Sequence, residues 1–442
     1  MSTLSDKAIE IVKVFRKAGF RAYWAGGCVR DLVMGHEPQD YDVATDARPD
    51  QVMKLFPKTV PVGISFGVVK VLSDESEFEV ATFRSDGRYL DGRHPVEVHY
   101  SGDQEDAARR DFTINGMFYD PVKKEIIDYV EGRQDIKAGL IRAIGNPRER
   151  FEEDKLRLMR AVRFAARFNY TIEPQTYEAI IERAGEIVQI SAERIRDELK
   201  KMLTGPNPSG SLSLLLETGL VKAILPEVTA MAGVEQPKEF HPEGDVLTHT
   251  LLLLKNLNRP SFELALAALL HDIGKPPTFS PPKTDRDRIR FDGHCEVGAR
   301  MAEAICGRLR LSNEQTELVV ELVRDHLRFK DVQRMRESTL KRFLRRPGFP
   351  EHLELHRLDC LASHGDLTLW EFCNRKLAEL GPEEMRPERV LTGDDLIRMG
   401  YSPGPLFSKI LTLLEDAQLE GRIKSREEAV EWIRLQFPLK PS

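Results

Sequence analysis

The sequence predicts an α+β protein with a small mixed β-sheet near its N-terminus and helices through the rest of the chain. Residues 21–145 mix short β-like runs with turn residues, which is the pattern of strands. From residue 146 the character changes, and almost all of the remaining sequence is predicted to be helical. With 442 residues the chain is too long for one ordinary core, so two to four domains are expected.

Three runs near the N-terminus are predicted strands, at residues 66–72, 78–84 and 96–100. The polar link "SDES" between the first two predicts a β-hairpin. Farther along, residues 146–168 are predicted to form one long helix, with Pro147 in its first turn.

A second helix is predicted over "SAERIRDELKKMLTG", with Ser191 as its cap and Gly205 at its end. Stretches rich in Gly and Pro interrupt helices, and they indicate breaks at 235–245, 344–350 and 380–393.

The composition indicates a globular chain, with 41% hydrophobic and 31% charged residues. Because the formal net charge is −6, nucleic-acid binding would need a local basic patch.

The five cysteines form no CxxC pair and indicate reduced thiols. The N-terminal segment is a charged amphipathic helix and not a signal peptide, and no apolar run reaches the roughly 18 residues that span a bilayer. We therefore expect a cytoplasmic protein without a membrane partner; the oligomeric state stays open.

A pair of carboxylates stands in "QDYDVAT", residues 39–45. Residues i and i+2 of a strand point to one side, so Asp40 and Asp42 would present two carboxylates to one place. Like charges repel unless a cation lies between them, and such hard oxygen ligands suit Mg²⁺ or Mn²⁺. Glu79 is the candidate third carboxylate, because it is an acid inside the apolar run 78–84, where an unpaired charge would be costly. The alternative is a solvated turn.

A glycine pair precedes the carboxylates, in "AGGCVRD". Gly26 and Gly27 stand between a strand-like and a helix-like segment. A backbone without Cβ atoms can approach phosphates closely, and a helix N-terminus favours anions. Arg30, on the first turn, could reach the same phosphate.

These two elements are followed by four more segments, in the order "FEVATFRSDGRYLDGRHPVEV" (78–98), "RRDFTIN" (109–115), "EEDKLRLMRAVRF" (152–164) and "ERIRDEL" (193–199). Together they resemble the class II tRNA nucleotidyltransferases and their bacterial poly(A) polymerase relatives, within the polymerase-β-like nucleotidyltransferase superfamily. The resemblance implies a mixed-sheet nucleotidyltransferase head followed by a helical neck, body and tail. The predicted domains are residues 1–145, 146–235, 236–380 and 381–442.

The resemblance also implies roles for individual residues. Two Mg²⁺ ions would be held by Asp40, Asp42 and Glu79. The residues that would bind CTP or ATP are Gly26, Gly27, Arg30, Arg110, Asp111 (at the ribose), Asn115, Asp154, Arg157, Arg160 and Arg163.

The last four of these residues are spaced by three. On one helix, steps of three drift by about −60° each, so the side chains would spiral along a groove. Asp154 can accept a hydrogen bond from an exocyclic amine of the base, and the arginines can donate hydrogen bonds to its ring nitrogens or carbonyls. Together these groups would mimic the Watson–Crick edge of a base that pairs with C or A. The alternative is an exposed helix with Glu153 and Arg157 as an i,i+4 ion pair. Residues 193–199 are expected to support this helix by packing and ion pairs, without chemistry.

The segment 84–108 matches the family's mobile loop, which helps to switch from C to A addition. Its presence weighs against an enzyme that adds only CC.

A second constellation lies in the C-terminal half and resembles HD-domain metal phosphohydrolases. Its histidines and carboxylates could bind one or two divalent ions such as Mn, Fe, Ni, Co or Zn, and a metal-bound water could attack a phosphate ester. The alternative is a relict domain that only enlarges the tRNA-binding body. The residues are His249, His271, Asp272, His294, His326 and Asp359.

Residues 324–346 hold nine Lys or Arg against three acids and form the most basic run of the chain. They are a candidate for phosphate contacts with the acceptor and TΨC arms of tRNA. A solvated helix face is the alternative.

The expected function is addition of C and A to the 3′ end of tRNA from CTP and ATP. The nearest rivals are enzymes that add only A or only CC and poly(A) polymerases, which share these motifs. Two further rivals are an HD phosphohydrolase with a degenerate head, acting on RNA ends, and an RNA-binding protein without activity.

Overall fold

The computed structural model describes residues 3–74, 76–87, 98–284 and 287–439. The chain forms two compact units. Unit 1 is Met1–Thr229 with Arg308–Arg310, and unit 2 is Ala230–Gly307 with Leu311–Ser442. The four segments predicted from the sequence divide the chain more finely and stay predictions.

The core of unit 1 is a seven-stranded mixed sheet. Its strands are β1 (Ala22–Ala25), β2 (Asp42–Thr45), β3 (Thr59–Gly63), β4 (Val68–Ser73), β5 (Ser76–Thr82), β8 (Phe118–Asp120) and β9 (Glu125–Ile127), in the order β3-β4-β5-β2-β1-β8-β9. Within this sheet β2 and β5 run parallel, whereas the other neighbours run antiparallel. Two further pairs are β6 (Arg84–Asp86) with β7 (Val98–Tyr100) and β10 (Leu140–Ile141) with β11 (Thr171–Ile172).

The first two predicted strands lie in this sheet, and the third lies in the separate pair of β6 and β7. β4 and β5 form the predicted hairpin, with Ser73 opposite Ser76. β7 covers the end of the third predicted strand; residues 96 and 97 lie outside the described residues.

Twelve helices lie in the described part of unit 1. They are α1 (Leu4–Lys17), α2 (Gly27–Val33), α3 (Pro49–Leu55), α4 (Asp103–Ala108), α5 (Gly132–Ala138), α6 (Pro147–Glu153), α7 (Leu156–Phe168), α8 (Pro174–Arg183), α9 (Ala192–Leu203), α10 (Pro208–Glu217), α11 (Leu220–Ile224) and α12 (Pro226–Thr229). The amphipathic α1 buries Val12 and Phe15 in the same core as Val43 and Val80, which anchors the strand that carries Asp42.

The prediction of one long helix over residues 146–168 is wrong. α6 ends at Glu153, and Asp154 has extended backbone angles (φ −143°, ψ 102°) before α7 begins at Leu156. The carboxylate of Asp154 accepts a hydrogen bond from the Leu156 backbone N–H at 3.1 Å. A short acidic side chain can bond the nearby backbone in this way, which competes with helix continuation and starts a new helix. Pro147 does stand in the first turn of α6.

Unit 2 is helical. Its described helices are α13 (Val246–Lys255), α14 (Phe262–Leu270), α15 (Lys275–Thr278), α16 (His294–Arg308), α17 (Asn313–Asp325), α18 (Glu337–Leu344), α19 (Phe349–Ala362), α20 (Thr368–Glu379), α21 (Pro382–Met385), α22 (Gly393–Arg398), α23 (Pro405–Leu419) and α24 (Arg426–Gln436). Apart from Glu263, every residue of α14 is apolar and buried, as expected of a central helix. The predicted break at 344–350 spans the end of α18 and the start of α19, and the predicted break at 380–393 contains only the short helix α21 between α20 and α22. Among the described helices, none is long and apolar enough to cross a bilayer.

Candidate functional site

The acidic end of β2 carries the first group of predicted site residues. β2 begins at Asp42, so Asp40 precedes the strand and the prediction that both lie on one strand is wrong. They are nevertheless close in space. Burial raises the pKa of Asp42 to about 6, and the negative charges of Asp40 and Glu79 add to the shift, while Arg110 opposes it. A carboxylate in this environment gains from a cation.

Glu79 reaches this site through the parallel pairing of β2 with β5. Val43 lies opposite Val80, which puts Glu79 beside Asp42 on the neighbouring strand. Glu79 is exposed, so the expected cost of burying its charge does not arise. The structure thus brings three carboxylates together, as predicted, but for a different physical reason.

The glycine pair forms the turn between β1 and α2. Gly26 has φ +73°, a left-handed backbone angle that favours glycine. A Cβ atom added at Gly26 would lie 3.2 Å from Nη1 of Arg110, and one at Gly27 would lie 3.6 Å from Nη2 of Arg30. Two guanidinium groups therefore approach the backbone of this turn, which suits an anion.

Asn115 connects the two arginines to Asp111. Its Oδ1 accepts a hydrogen bond from Nη1 of Arg30 at 2.8 Å, and its Nδ2 donates to Oδ1 of Asp111 at 3.2 Å. Its backbone carbonyl accepts from Nη1 of Arg110 at 3.4 Å. Arg110 is also paired with Asp106 at 3.0 Å, four residues earlier, a partner that its i,i+4 spacing could have indicated. The network fixes the direction of both guanidinium groups.

Asp111 is tied to α7 by Arg160. Burial alone would raise the pKa of Asp111, but the Arg160 guanidinium outweighs burial and lowers the pKa to about 2. Asp111 is therefore ionised and oriented by protein groups.

The other predicted nucleotide-binding residues on this side also have protein partners. Arg157 donates to Glu153 at 2.7 Å and to the carbonyl of Arg109 at 3.2 Å. The i,i+4 pair of the alternative interpretation is thus present. Arg163 donates to the buried Glu198.

Asp154 does not share a helix with these arginines, because it lies in the break before α7. Both of its oxygens accept hydrogen bonds from Nη2 of Arg194, at 3.1 and 2.9 Å. Arg194 and Glu198 both belong to "ERIRDEL", so the predicted ion pairs from that segment are confirmed.

The six predicted histidines and aspartates of unit 2 converge on one place, which we term the HD cluster. Three of the histidines share one arrangement: Nδ1 lies within hydrogen-bond distance of the backbone carbonyl three residues earlier, which leaves Nε2 as a potential metal ligand. These bonds are His271 to Ala268 at 2.9 Å, His294 to Phe291 at 2.7 Å and His326 to Val323 at 2.7 Å.

Asp272 lies at the centre of the HD cluster. Its Oδ2 is 3.1 Å from Nε2 of His271, and its Oδ1 is 3.7 Å from Nε2 of both His294 and His326. Oδ1 is buried and has no hydrogen-bond partner among the described residues. Burial lowers the pKa of His326 to about 4, which keeps its ring neutral, the form that binds metals. This donor set fits a divalent cation.

His249 completes the HD cluster. Its Nε2 lies 3.0 Å from Oδ1 of Asp359, and its Nδ1 lies 2.6 Å from Glu243. Burial by itself lowers the pKa of His249, but the hydrogen bonds to Asp359 and Glu243 outweigh it and raise the pKa to about 9. Glu243 was missed by the sequence analysis, as was Lys275, whose Nζ lies 2.7 Å from Oδ2 of Asp272. Lys275 directly follows "HDIG" in the sequence, and this position could have indicated that it lies near Asp272.

The basic run 324–346 divides into two parts. Toward its end, Arg342 pairs with Glu415 at 2.8 Å and Arg346 with Glu321 at 2.9 Å. These two arginine side chains are therefore engaged in ion pairs within unit 2. Arg328, Arg334 and Arg336 are exposed, and the RNA contact predicted for residues 324–346 stays a prediction.

The predicted mobile loop, residues 84–108, is described only in part. Residues 88–97 lie outside the described residues.

Three family models match this chain. The model described as "Poly A polymerase head domain" matches residues 22–142. The one described as "Probable RNA and SrmB- binding site of polymerase A" matches residues 169–231, and "HD domain" matches residues 245–359. The last range includes all six residues of the HD cluster.

Relatives match over almost the whole chain. The chain is 31% identical over 434 residues to the CCA-adding enzyme of Geobacillus sp. (strain WCH70), covering 97% of this chain and 96% of the relative. It is 30% identical over 431 residues to the CCA-adding enzyme of Enterococcus faecalis (strain ATCC 700802 / V583), covering 96% and 94%. The crystal structure of the Bacillus stearothermophilus CCA-adding enzyme in complex with CTP superimposes with a TM-score of 0.77 at 28% identity, covering 99% and 98%. The chain belongs to the family of CCA-adding enzymes.

Proposed function

We propose that this protein builds or repairs the 3′-terminal CCA of tRNA by successive transfer of C and A nucleotides from CTP and ATP. The observation that carries the proposal is the meeting of Asp40, Asp42 and Glu79 within reach of Arg110, in a chain whose full length matches CCA-adding enzymes. In this reaction the tRNA 3′-hydroxyl attacks the α-phosphate, and pyrophosphate leaves.

Asp40, Asp42 and Glu79 would hold the Mg²⁺ ions. When bound, such ions lower the pKa of an attacking hydroxyl and neutralise a triphosphate. The raised pKa of Asp42 supports this assignment, because the site as it stands has more negative charge than its surroundings compensate.

The triphosphate would lie over the turn of Gly26 and Gly27. Arg30 and Arg110 approach this turn, and Asn115 holds both in place. Arginine forms charge-assisted hydrogen bonds with phosphate oxygens. The triphosphates of CTP and ATP are identical, so both would make the same contacts with this turn.

Base selection would fall to Asp154 and Arg157. Asp154 would accept from the exocyclic amine of C or A, and Arg157 would donate to a ring nitrogen or carbonyl. Both side chains are braced, Asp154 by Arg194 and Arg157 by Glu153. Hydrogen-bond donors and acceptors that are fixed in position by protein partners can discriminate between bases without a nucleic-acid template.

The test is extension of three labelled tRNAs, ending before CCA, after C and after CC, with CTP, ATP or both. Completion of all three, stopping after the final A, is the expected result. Extension of only the CC-ended tRNA would show an A-adding enzyme, arrest after CC would show a CC-adding enzyme, and long A tails would show a poly(A) polymerase. Each of these would overturn the proposal.

Two variants connect the test to the site. Asp42→Ala is expected to abolish addition while tRNA binding, measured by gel shift, persists. Asp50→Ala is the matched control, because Asp50 is an exposed acid on α3 of the same unit. Full activity of the Asp42 variant would refute the metal assignment.

A second candidate activity is hydrolysis of a phosphate ester at the HD cluster. The supporting observation is the buried, unpartnered Oδ1 of Asp272 among histidine Nε2 atoms. Hydrolysis of nucleoside 2′,3′-cyclic phosphates and of p-nitrophenyl phosphate would be measured after chelation and after readdition of Mn²⁺, Ni²⁺, Co²⁺ or Zn²⁺. Activity that returns with metal and is lost in Asp272→Asn would support the proposal. Metal binding without hydrolysis would leave a structural site.

A further inference from the structure

A thiol lies beside the HD cluster, at the start of α16. Cys295 follows His294, and its Sγ is 3.6 Å from Nε2 of that histidine. One donor atom each from His294, Cys295 and His326 lie within 4.8 Å of one another. Cys295 is partly exposed, and its thiol has no disulfide partner.

A second observation points to a ligand between these groups. Oδ1 of Asp272 belongs to a side chain that is only 2% exposed, and it lacks a hydrogen-bond partner among the described residues. It lies 3.7 Å from Nε2 of His294 and 3.7 Å from Nε2 of His326. Oδ1 of Asp272 therefore lies near the same two histidine nitrogens that, together with the sulfur of Cys295, form the group of three donor atoms.

The distance between the sulfur and the nitrogen of His294 matches that of two ligands in a tetrahedral metal site. With metal–sulfur and metal–nitrogen bonds of about 2.3 and 2.05 Å, a tetrahedral angle separates sulfur from nitrogen by about 3.6 Å. The observed distance between Cys295 Sγ and His294 Nε2 has this value. A thiol that donates only a weak hydrogen bond to the ring would satisfy the same distance, and the cobalt spectrum described below separates the two cases.

We propose that Cys295 is a thiolate ligand of a divalent cation that is also bound by His294, His326 and Asp272. On binding, the Sγ–H bond breaks, the proton passes to solvent and a sulfur–metal bond forms. Sulfur makes the site softer than one of imidazole and carboxylate alone, so it favours Zn²⁺ or Co²⁺ over Mn²⁺ and Mg²⁺. The inference rests on the proposal that the HD cluster binds metal, and it is independent of nucleotide addition.

Cobalt substitution tests the sulfur–metal bond directly. The full-length protein is stripped with a chelator and titrated with Co²⁺ while its absorption spectrum is recorded. We expect an intense near-ultraviolet sulfur-to-cobalt charge-transfer band together with visible d–d bands. Visible bands without the charge-transfer band would overturn the role of Cys295 and leave metal binding intact. No bound cobalt would overturn both.

Variants assign the band to one thiol. Cys295→Ser is expected to lose the charge-transfer band but to keep bound cobalt through His294, His326 and Asp272. Cys306→Ala, on the same helix but outside the cluster, is expected to keep the band. Retention of the band in Cys295→Ser would place the thiolate elsewhere, for example at Cys28, and would refute the proposal.

Metal competition provides a second readout. Substitution of a residue that only hydrogen-bonds to a metal ligand typically weakens metal binding ~10–100-fold. Cys295→Ser would remove a direct ligand, so we expect it to weaken Zn²⁺ binding by at least that factor. Binding of Mn²⁺, which has little preference for sulfur, is expected to change much less. Equal losses for both ions would contradict a thiolate ligand.

Discussion

Asp111 and Arg160 form an ion pair between the "RRDFTIN" segment and α7, with Nε of Arg160 donating to Oδ2 of Asp111 at 2.8 Å. Through Asn115 the same carboxylate is joined to Arg30 beside the glycine turn. The glycine turn and α7, the two sides of the proposed nucleotide site, are therefore linked by one continuous set of polar contacts.

Removal of the Asp111 charge should destabilise the protein in a pH-dependent way. The folded-state pKa of Asp111 is lowered to about 2 despite its burial, because Arg160 outweighs the burial. From an unfolded value of about 3.9, the shift corresponds to stabilisation on the order of 2 kcal/mol, present above about pH 4 and lost as the pH falls toward 2. Urea unfolding of Asp111→Asn should show this deficit at pH 7 and roughly half of it at pH 3. Asp50→Asn is the exposed control, and an equal deficit of Asp111→Asn at both pH values would contradict the linkage.

Substitution of Asn115 by Ala should raise the KM for CTP and ATP alike, by about tenfold, a loss of roughly 1.4 kcal/mol in binding. The reason is that Arg30 and Asp111 lose their common partner, while the triphosphate is the same in both nucleotides. Asn115→Asp keeps an acceptor for Arg30 but places a second negative charge against Asp111 and the triphosphate, so it should not recover the loss. Steady-state kinetics with each nucleotide provide the check. A change confined to one nucleotide would assign Asn115 to base reading instead.

Arg194→Met should lower fidelity more than it lowers the rate. Without Arg194, the carboxylate of Asp154 loses the donor that holds both of its oxygens. We expect incorporation of UTP and GTP to rise severalfold relative to CTP and ATP, measured by product sequencing. Arg196→Met on the same helix, whose side chain pairs with its neighbour Asp197, is the control. Unchanged fidelity in Arg194→Met would remove Asp154 from base selection.

Glu79→Gln should reduce kcat/KM for nucleotide addition by at least about tenfold, the lower range seen when groups that support a metal site are lost. Glu77 is a close control, because it lies two residues earlier on β5, is also exposed and pairs with Lys70 across the hairpin. Glu77→Gln should leave the rate unchanged. Equal rates for the two variants would exclude Glu79 from the metal site. Excess Mg²⁺ should partly restore the Glu79 variant.

Local features of the chain could be predicted from the sequence. The hairpin of β4 and β5, the Gly26–Gly27 turn and the convergence of the HD histidines each follow a short-range signal or a family motif. The two turn signals act over a few residues, through turn preferences and left-handed backbone angles, whereas the histidines are far apart in the sequence and were grouped only through the family motif.

Contacts between distant segments were decided only by the tertiary structure. Glu79 lies beside Asp42 because β2 and β5 pair in parallel, and no local pattern determines that register. Asp154 ends a helix that periodicity alone would continue, since its carboxylate binds the backbone and Arg194. Cys295 is one of five scattered thiols in the sequence and becomes a potential ligand only through the packing of α16 against the residues around Asp272. The physical reason is the same in each case: strand pairing and helix packing decide which distant side chains meet, and both depend on the whole fold.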